Sequence, residues 1–548
     1  MRIVLIVFCL MGLNLKAQPK FYFVSFKDKP AYQQQLYNPL TYISKKAVER
    51  RLKNKVPIHI NDVPPDSGYL AKISRLPLTM YGNSRWFNGA VVLSDVPGIT
   101  DSLLKFSFVS DVSYIGPNYG YIDEEISSGS VLEEKISLLQ EAFEVKKITK
   151  DSLFTGKSDK QIKQINAKNR LMVGNQGRGV LIAVIDAGFM NADKLEPFKH
   201  LFDERRILAT YDFVEREEEV FDDDEHGLAV LSCMAAFEPG VIMGTAPAAD
   251  YILLRSENAA SEFLTEEYLW VLAAEYADSA GADIINSSLG YTKHDDKKFG
   301  HKYGEMDGKS TIITQALEIA NSKGILVFAS AGNEGNEIWR QLSAPGDAPN
   351  AVTVGAVDES GAYVGFSSVG PTADKRIKPD LMAMGKSTSV LSPTGKVFTG
   401  NGTSYACPIL AGTAAMLMEL APEKKPKQIK DAMMLSASNY YKPDKYIGSG
   451  IPDIDLTAKM LTVAGDSIID YRVLDDKNLH ITLSSSSNQK VEVSLADPVE
   501  GEVYNSDFKL VRGINRILLK GYKKRSGGLY HLSVSFGSKT REKELIKP

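Results

Sequence analysis

Residues 180–188 read Val-Leu-Ile-Ala-Val-Ile-Asp-Ala-Gly. Six consecutive apolar residues leave no polar face, so a strand here must be covered on both sides. Asp186 then puts a carboxylate at the strand's carboxyl end, and Gly188 signals a turn. A similar pattern recurs downstream as short, mostly apolar runs at 251–254, 283–285, 325–328 and 351–354. Helical spacing separates them over 266–280 and 311–322. Apolar strands alternating with helices predict an α/β fold over 157–465, with a parallel sheet and helices on both faces. Ligands meet such sheets at the carboxyl ends of the strands. Chemistry is therefore expected in the residues just past each strand.

Both flanks of this zone differ from it. Upstream, 21–26 is a strand pattern, 42–55 has helical spacing, and 78–95 reads as two strands about a Gly82-Asn83 turn signal. A helix over 97–106 and a strand over 108–115 complete the order β-α-β-β-α-β, a small α+β domain over 18–119. The charged stretch 120–156 reads as a linker, with an amphipathic helix pattern around 131–145. Downstream, period-two alternation at 479–483, 491–495 and 529–534 predicts a β-sandwich over 466–548. Residues 1–17 have a basic start at Arg2, an apolar run from Ile3 to Leu13 and a small residue at Ala17, as a secretory signal peptide does. The protein is thus expected outside the cell or on its surface. With 64 basic against 68 acidic residues the net charge is −4, which gives no phosphate-neutralising surface and no nucleic-acid partner. Cys233 and Cys407 are too few for a disulfide framework and read as two small buried hydrophobes, although both lie near the motifs below and a bridge between them stays open.

Four residues carry the chemistry. Asp186 follows its strand directly. His226 opens an apolar helical pattern and is one of only seven histidines, which makes it a base candidate. Asn333 follows the strand pattern 325–328, where an amide could donate to an oxyanion. Ser404 precedes a long apolar helix, where unpaired N–H groups and the helix dipole favour developing negative charge. Gly400 and Gly402 would allow close approach to it. Each taken alone is an ordinary turn or cap residue. Their order Asp…His…Ser separates them from the chymotrypsin and α/β-hydrolase orders, and no G-x-S-x-G occurs.

The segments Ile185-Asp186-Ala187-Gly188, His226-Gly227-Leu228, Asn286-Ser287-Ser288-Leu289-Gly290, Ala331-Gly332-Asn333 and Gly402-Thr403-Ser404-Tyr405-Ala406 together resemble those of the subtilisin-like serine peptidases, most of all the secreted Bacteroidetes type. The resemblance implies a secreted serine endopeptidase with Asp186, His226 and Ser404 as its triad. It further implies Asn333 as oxyanion donor and Ser288, Leu289 and Gly290 as the strand that binds protein or peptide substrates. It makes 18–119 a pro-region that inhibits its own enzyme, and it requires no cofactor. Ala187, Leu228, Ala229 and Tyr405 depart from the family's usual residues without removing a catalytic group. The end of the chain, with Gly527-Gly528 and a basic tail, resembles the sorting domain of type IX secretion, whose partner would be outer-membrane secretion machinery. The acidic run 222–225 has carboxylates that suit Ca²⁺ but reads more simply as a solvated turn, so no metal is assigned. Two other functions remain open on this fold: a catalytically silent surface binding protein, and a dedicated processing peptidase with one substrate.

Overall fold

In the computed structural model, residues 18–30, 32–118, 155–473, 478–497, 501–520 and 529–546 are described. The signal pattern at 1–17, the helix pattern around 131–145 and Gly527-Gly528 lie outside them.

The N-terminal unit runs β1 (Lys20–Phe26), α1 (Lys45–Asn54), α2 (Ser67–Ile73), β2 (Thr79–Ser84), β3 (Gly89–Ser94), α3 (Ile99–Leu104) and β4 (Val109–Pro117). Its sheet order is β2-β3-β1-β4, with every neighbouring pair antiparallel. The expected strand order with a helix on either side of the β2–β3 pair is present, but more than one helix lies between β1 and β2, and the turn between β2 and β3 is not at Gly82-Asn83. Those two residues lie within β2, and the chain reverses over 85–88, where Asn88 takes a positive φ of 48°. Ser84 Oγ accepts from Phe87 N at 3.0 Å, and Arg85 N donates to Glu275 Oε2 at 2.7 Å, so a distant partner places the turn.

The central unit holds β5 (Leu181–Asp186), β6 (Ile207–Asp212), α4 (His226–Ala235), β7 (Asp250–Arg255), α5 (Leu264–Ala280), β8 (Ile284–Ser287), α6 (Ile312–Ser322), β9 (Leu326–Ser330), β10 (Val352–Val357), β11 (Leu381–Met384) and α7 (Thr403–Leu420). Its seven strands are parallel in the order β11-β10-β9-β8-β5-β7-β6. Period two explains the continuous apolar run. Ile182 and Val184 pack with α4 and α7 on one face, while Leu181, Ala183 and Ile185 pack with α5 and α6 on the other. β5 lies where strand order reverses, between β7 and β8, which puts its carboxyl end in the crevice expected to hold a ligand.

The N-terminal sheet continues that second layer. Phe21 and Phe23 point to α5, with the Phe23 and Tyr268 rings 4.7 Å apart, whereas Val24 and Phe26 point back to α2 and α3. Ser44 N and Oγ donate to Ser279 O and Ala280 O at 2.8 and 2.9 Å, and Arg50 Nη1 donates to Ala282 O at 2.6 Å. Together they satisfy and charge-complement the C-terminal end of α5.

Beyond α8 (Ile454–Thr462) the chain becomes all-β: β12 (Ser467–Val473), β13 (Asn478–Ser485), β14 (Gln489–Asp497), β15 (Gly501–Leu510), β16 (Gly513–Lys520), β17 (Leu529–Phe536) and β18 (Lys539–Ile546). Sheets β12-β13-β16 and β15-β14-β17-β18 enclose their own core of Leu479, Ile481, Val493, Leu495, Leu532 and Val534. No helix among the described residues is long and apolar enough to cross a membrane.

Candidate active site

Asp186 is the last residue of β5 and is 0% exposed. Its Oδ1 accepts from Ala187 N at 2.9 Å and lies 2.6 Å from His226 Nδ1. His226 is the first residue of α4, as its spacing predicts, and its backbone N donates to Asp224 Oδ1 at 2.7 Å. Gly227 permits the approach of helix to strand, since a Cβ there would stand 2.3 Å from Gly188 O and 3.0 Å from Asp186 Cβ. Burial pulls the imidazole pKa down, but the Asp186 carboxylate outweighs it, aided by Asp224 and Glu257, and the balance lies at about 8.

Ser404 is the second residue of α7 and 6% exposed. Its hydroxyl donates to Ser288 O at 3.2 Å rather than to His226, and Ser288 Oγ donates back to Ser404 O at 2.9 Å. Catalytic hydrogen bonds commonly tighten only once substrate is bound. Gly400 does not serve Ser404: it makes room for the Tyr405 ring, whose Cε2 a Cβ would meet at 2.4 Å. At Gly402 a Cβ would stay 3.8 Å from Ser404 Cβ, so only the extended backbone of the turn is at issue there. Asn333 follows β9 and is exposed; its Oδ1 accepts from Thr403 N at 2.9 Å and Thr403 Oγ1 at 3.1 Å. With that oxygen engaged beside Ser404, the Nδ2 donor is the end of the amide left for a ligand. Ser288, Leu289 and Gly290 continue from β8, and Ser330 Oγ donates to Leu289 O at 3.3 Å.

Cys233 and Cys407 are buried free thiols on α4 and α7, and no bridge joins them. In the acidic run, Asp223 pairs with Arg255 Nη1 at 2.7 Å and Asp224 caps His226, so both carboxylates have protein partners. One residue near the site escaped the reading of the sequence. Glu257 lies just past β7, 8% exposed, with Tyr291 Oη donating to its Oε1. Burial pushes its carboxyl up to about 7, and its field acts on both Asp186 and His226. The strand-end rule that selected Asp186 also points here, because β7 is β5's neighbour. Among the described residues, two groups bring three possible metal-binding side chains together: Glu257 with Glu262 and Glu266, and Glu267 with His294 and His301.

The Peptidase S8 (subtilase family) model matches residues 177–450, the span that contains every residue of this site. The chain belongs to the subtilase family. Residues 21–127 match the Peptidase S8 propeptide domain of Bacteroidota. The chain is 30% identical over 302 residues to Subtilisin NAT of Bacillus subtilis subsp. natto, covering 54% of this chain and 70% of that one. It is 28% identical over 346 residues to Serine protease AprX of Bacillus subtilis, covering 57% and 74%. The solved structure of MycP1 from Mycobacterium smegmatis superposes with a TM-score of 0.44 at 21% identity, covering 58% of this chain and 87% of that one. This subtilase is a serine endopeptidase carrying its own propeptide domain. Its departures from the usual family residues can be placed. Ala187 offers only its backbone N to Asp186, and Asp186 Oδ2 is buried without a hydrogen-bond partner among the described residues. The Tyr405 ring lies 6.2 Å from the His226 ring.

Proposed function

We propose that this subtilase is a secreted endopeptidase that cleaves peptide bonds through an acyl-enzyme on Ser404. The observation that carries the reading is the short Asp186–His226 contact of 2.6 Å at the carboxyl end of the central strand, beside the start of the helix bearing Ser404. His226 Nε2 takes the hydroxyl proton as Ser404 Oγ attacks the carbonyl carbon. Asp186 fixes the tautomer with Nδ1 protonated and stabilises the imidazolium. Asn333 Nδ2 and the Ser404 backbone N–H receive the oxyanion. His226 then returns the proton to the leaving amine, and water repeats the sequence on the ester. Each step uses protein groups, and deacylation adds one water. Substrate adds as a strand along Ser288, Leu289 and Gly290.

The same reading makes 18–119 an inhibitory pro-region, 120–156 the segment that is cut, 157–465 the peptidase domain and 466–548 a sorting module for outer-membrane secretion machinery. Support for inhibition comes from the course of β4: its end at Pro117 and Asn118 reaches a crevice also lined by Asn258 and Ser261, just beyond Glu257. The test is to express wild type beside Ser404→Ala and follow peptide hydrolysis and the mature N-terminus by mass spectrometry. Wild type should hydrolyse peptides and lose its pro-region, and Ser404→Ala should do neither. Retained hydrolysis by purified Ser404→Ala would remove the nucleophile from the scheme.

A further inference from the structure

The proposed mechanism makes no use of the cluster formed by Glu267, His294 and His301. Glu267 lies in the first turns of α5 and is 0% exposed. The two histidines lie on the loop that follows Gly290. One ligand atom from each of the three falls within 4.8 Å of the others. Glu267 Oε1 is 2.7 Å from His301 Nε2 and 3.5 Å from His294 Nε2. The histidine rings meet edge to face, with centroids 5.3 Å apart and planes at 84°.

His294 is the informative member. Its side chain is 0% exposed, and neither ring nitrogen has a hydrogen-bond partner among the described residues. Roughly 90% or more of buried polar groups are hydrogen-bonded, so a wholly buried imidazole with neither nitrogen hydrogen-bonded needs a reason. Glu267 Oε1 meets His301 at hydrogen-bond distance, 2.7 Å, and leaves His294 with only a 3.5 Å charge contact in place of a hydrogen bond. A metal ion would take one nitrogen of each histidine together with the Glu267 carboxylate, and so would engage all three side chains. Ligands of a tetrahedral ion bonded at about 2.0–2.1 Å stand about 3.4 Å apart, close to the His294–Glu267 separation. His301 Nδ1 also lies 3.7 Å from Glu305 Oε2, the outer carboxylate that a metal-bound histidine commonly faces.

We propose that Glu267, His294 and His301 form a zinc site that fastens the loop after Gly290 to helix α5. Two imidazoles and one carboxylate suit zinc, whereas Ca²⁺ takes oxygen ligands. The ion would hold the loop, and three protein ligands would leave its fourth tetrahedral position to a water. Tyr291 stacks on His294 with planes 8° apart, and its hydroxyl reaches Glu257 beside the Asp186–His226 pair. The same loop begins with Ser288, Leu289 and Gly290, and its Phe299 and Lys298 touch Tyr114 of β4. One ion would therefore hold the segment that lines the site and meets the pro-region. The inference stands whether or not Ser404 is the nucleophile.

The test uses the full chain carrying Ser404→Ala, so that self-digestion cannot interfere. Chelator-stripped protein is titrated with Zn²⁺ alone or Ca²⁺ alone, and bound metal and thermal melting are measured. One zinc per chain should bind and raise the melting temperature, and Ca²⁺ should do neither. His294→Phe, which keeps a ring against Tyr291, and His301→Gln should each weaken zinc by more than about 100-fold, beyond the roughly 10–100-fold cost of losing an outer-shell partner. Zinc-edge X-ray absorption on the chain with both histidines intact should report two imidazoles and carboxylate oxygen, a readout independent of how the variants fold. A folded chain that binds no zinc, unchanged affinity in both variants, or a first shell of oxygens alone would overturn the site.

Discussion

The two modules that flank the peptidase are joined to it by opposite means. The pro-region shares the peptidase's core: Phe21, Phe23, Tyr81, Trp86 and Ile115 pack into the same apolar layer as α5 and α6. A buried charge network reinforces this contact. Asp278 of α5 receives Arg51 at 2.7 Å and Arg85 at 3.4 Å, with Arg50 also paired to it. Asp62 joins Arg51 at 2.9 Å to Lys323 of the peptidase at 2.7 Å. The C-terminal sandwich instead closes its own core and meets the peptidase through Leu456, Met460 and Ile469, and through Arg516 against Tyr440, Tyr441 and the carbonyl of Leu435. An inhibitor must recognise one enzyme and later leave it. A surface built on buried charge serves both needs, because the charges hydrate once separated. A self-contained module needs only a tether.

Arg51→Met should have the largest effect on this contrast. It strips one partner from Asp62 and Asp278, both buried, at a cost of about 3–5 kcal/mol. Supplied in trans to the mature enzyme, the variant pro-region should inhibit more weakly by about 10² to several thousand-fold in a competition assay. An equal inhibition constant would mean that the apolar layer alone holds the pro-region. Asn333→Ala comes next, with turnover down by about 10²–10³ and little change in apparent substrate binding. The drop should be the same in the full mature chain and in one ending at 465, because the sandwich shares no hydrogen bond with the site among the described residues.

The pH dependence is a smaller effect. In the proposed mechanism His226 must be neutral to accept a proton, and its pKa is raised to about 8, so kcat/KM should climb about tenfold per unit below that value and level off above it. For stability the sign reverses. The His226–Asp186 ion pair contributes fully below pH 6.5 and loses that contribution as pH rises through about 8. An activity profile already flat from pH 6 would contradict this. Arg516→Ala should do least, lowering the melting temperature by about 2–4 °C while leaving hydrolysis unchanged. A drop far larger than this would mean that the sandwich too is held to the peptidase by a strong buried contact, and would erase the distinction between the two junctions.

The central fold was legible because a strand buried on both faces has nowhere to place a polar residue. Residues 180–185 state that requirement directly, and Asp186 then marks the ligand-binding edge. His226 and Ser404 were legible through the apolar helices they open. Features set by distant partners were hidden. The β2–β3 turn follows Glu275, which is 190 residues from Arg85, and so it missed the Gly82-Asn83 signal. Asp278 lies 228 residues from Arg50, and no local pattern announces that contact. Glu267, His294 and His301 come from a helix and an irregular loop, without the close ligand spacing that makes a metal motif readable. Glu257 could have been found by applying the strand-end rule to every strand of the sheet.

The most direct measurement of the proposed chemistry is labelling of the mature enzyme with a fluorophosphonate, followed by peptide mapping. The reagent captures a serine only where a neighbouring base activates it and an oxyanion site receives the product. The mechanism predicts one adduct per chain on Ser404, lost in His226→Ala and blocked by added pro-region. A folded, mature chain that stays unlabelled, or that carries the adduct on another serine, would contradict the assignment of Ser404 as the nucleophile.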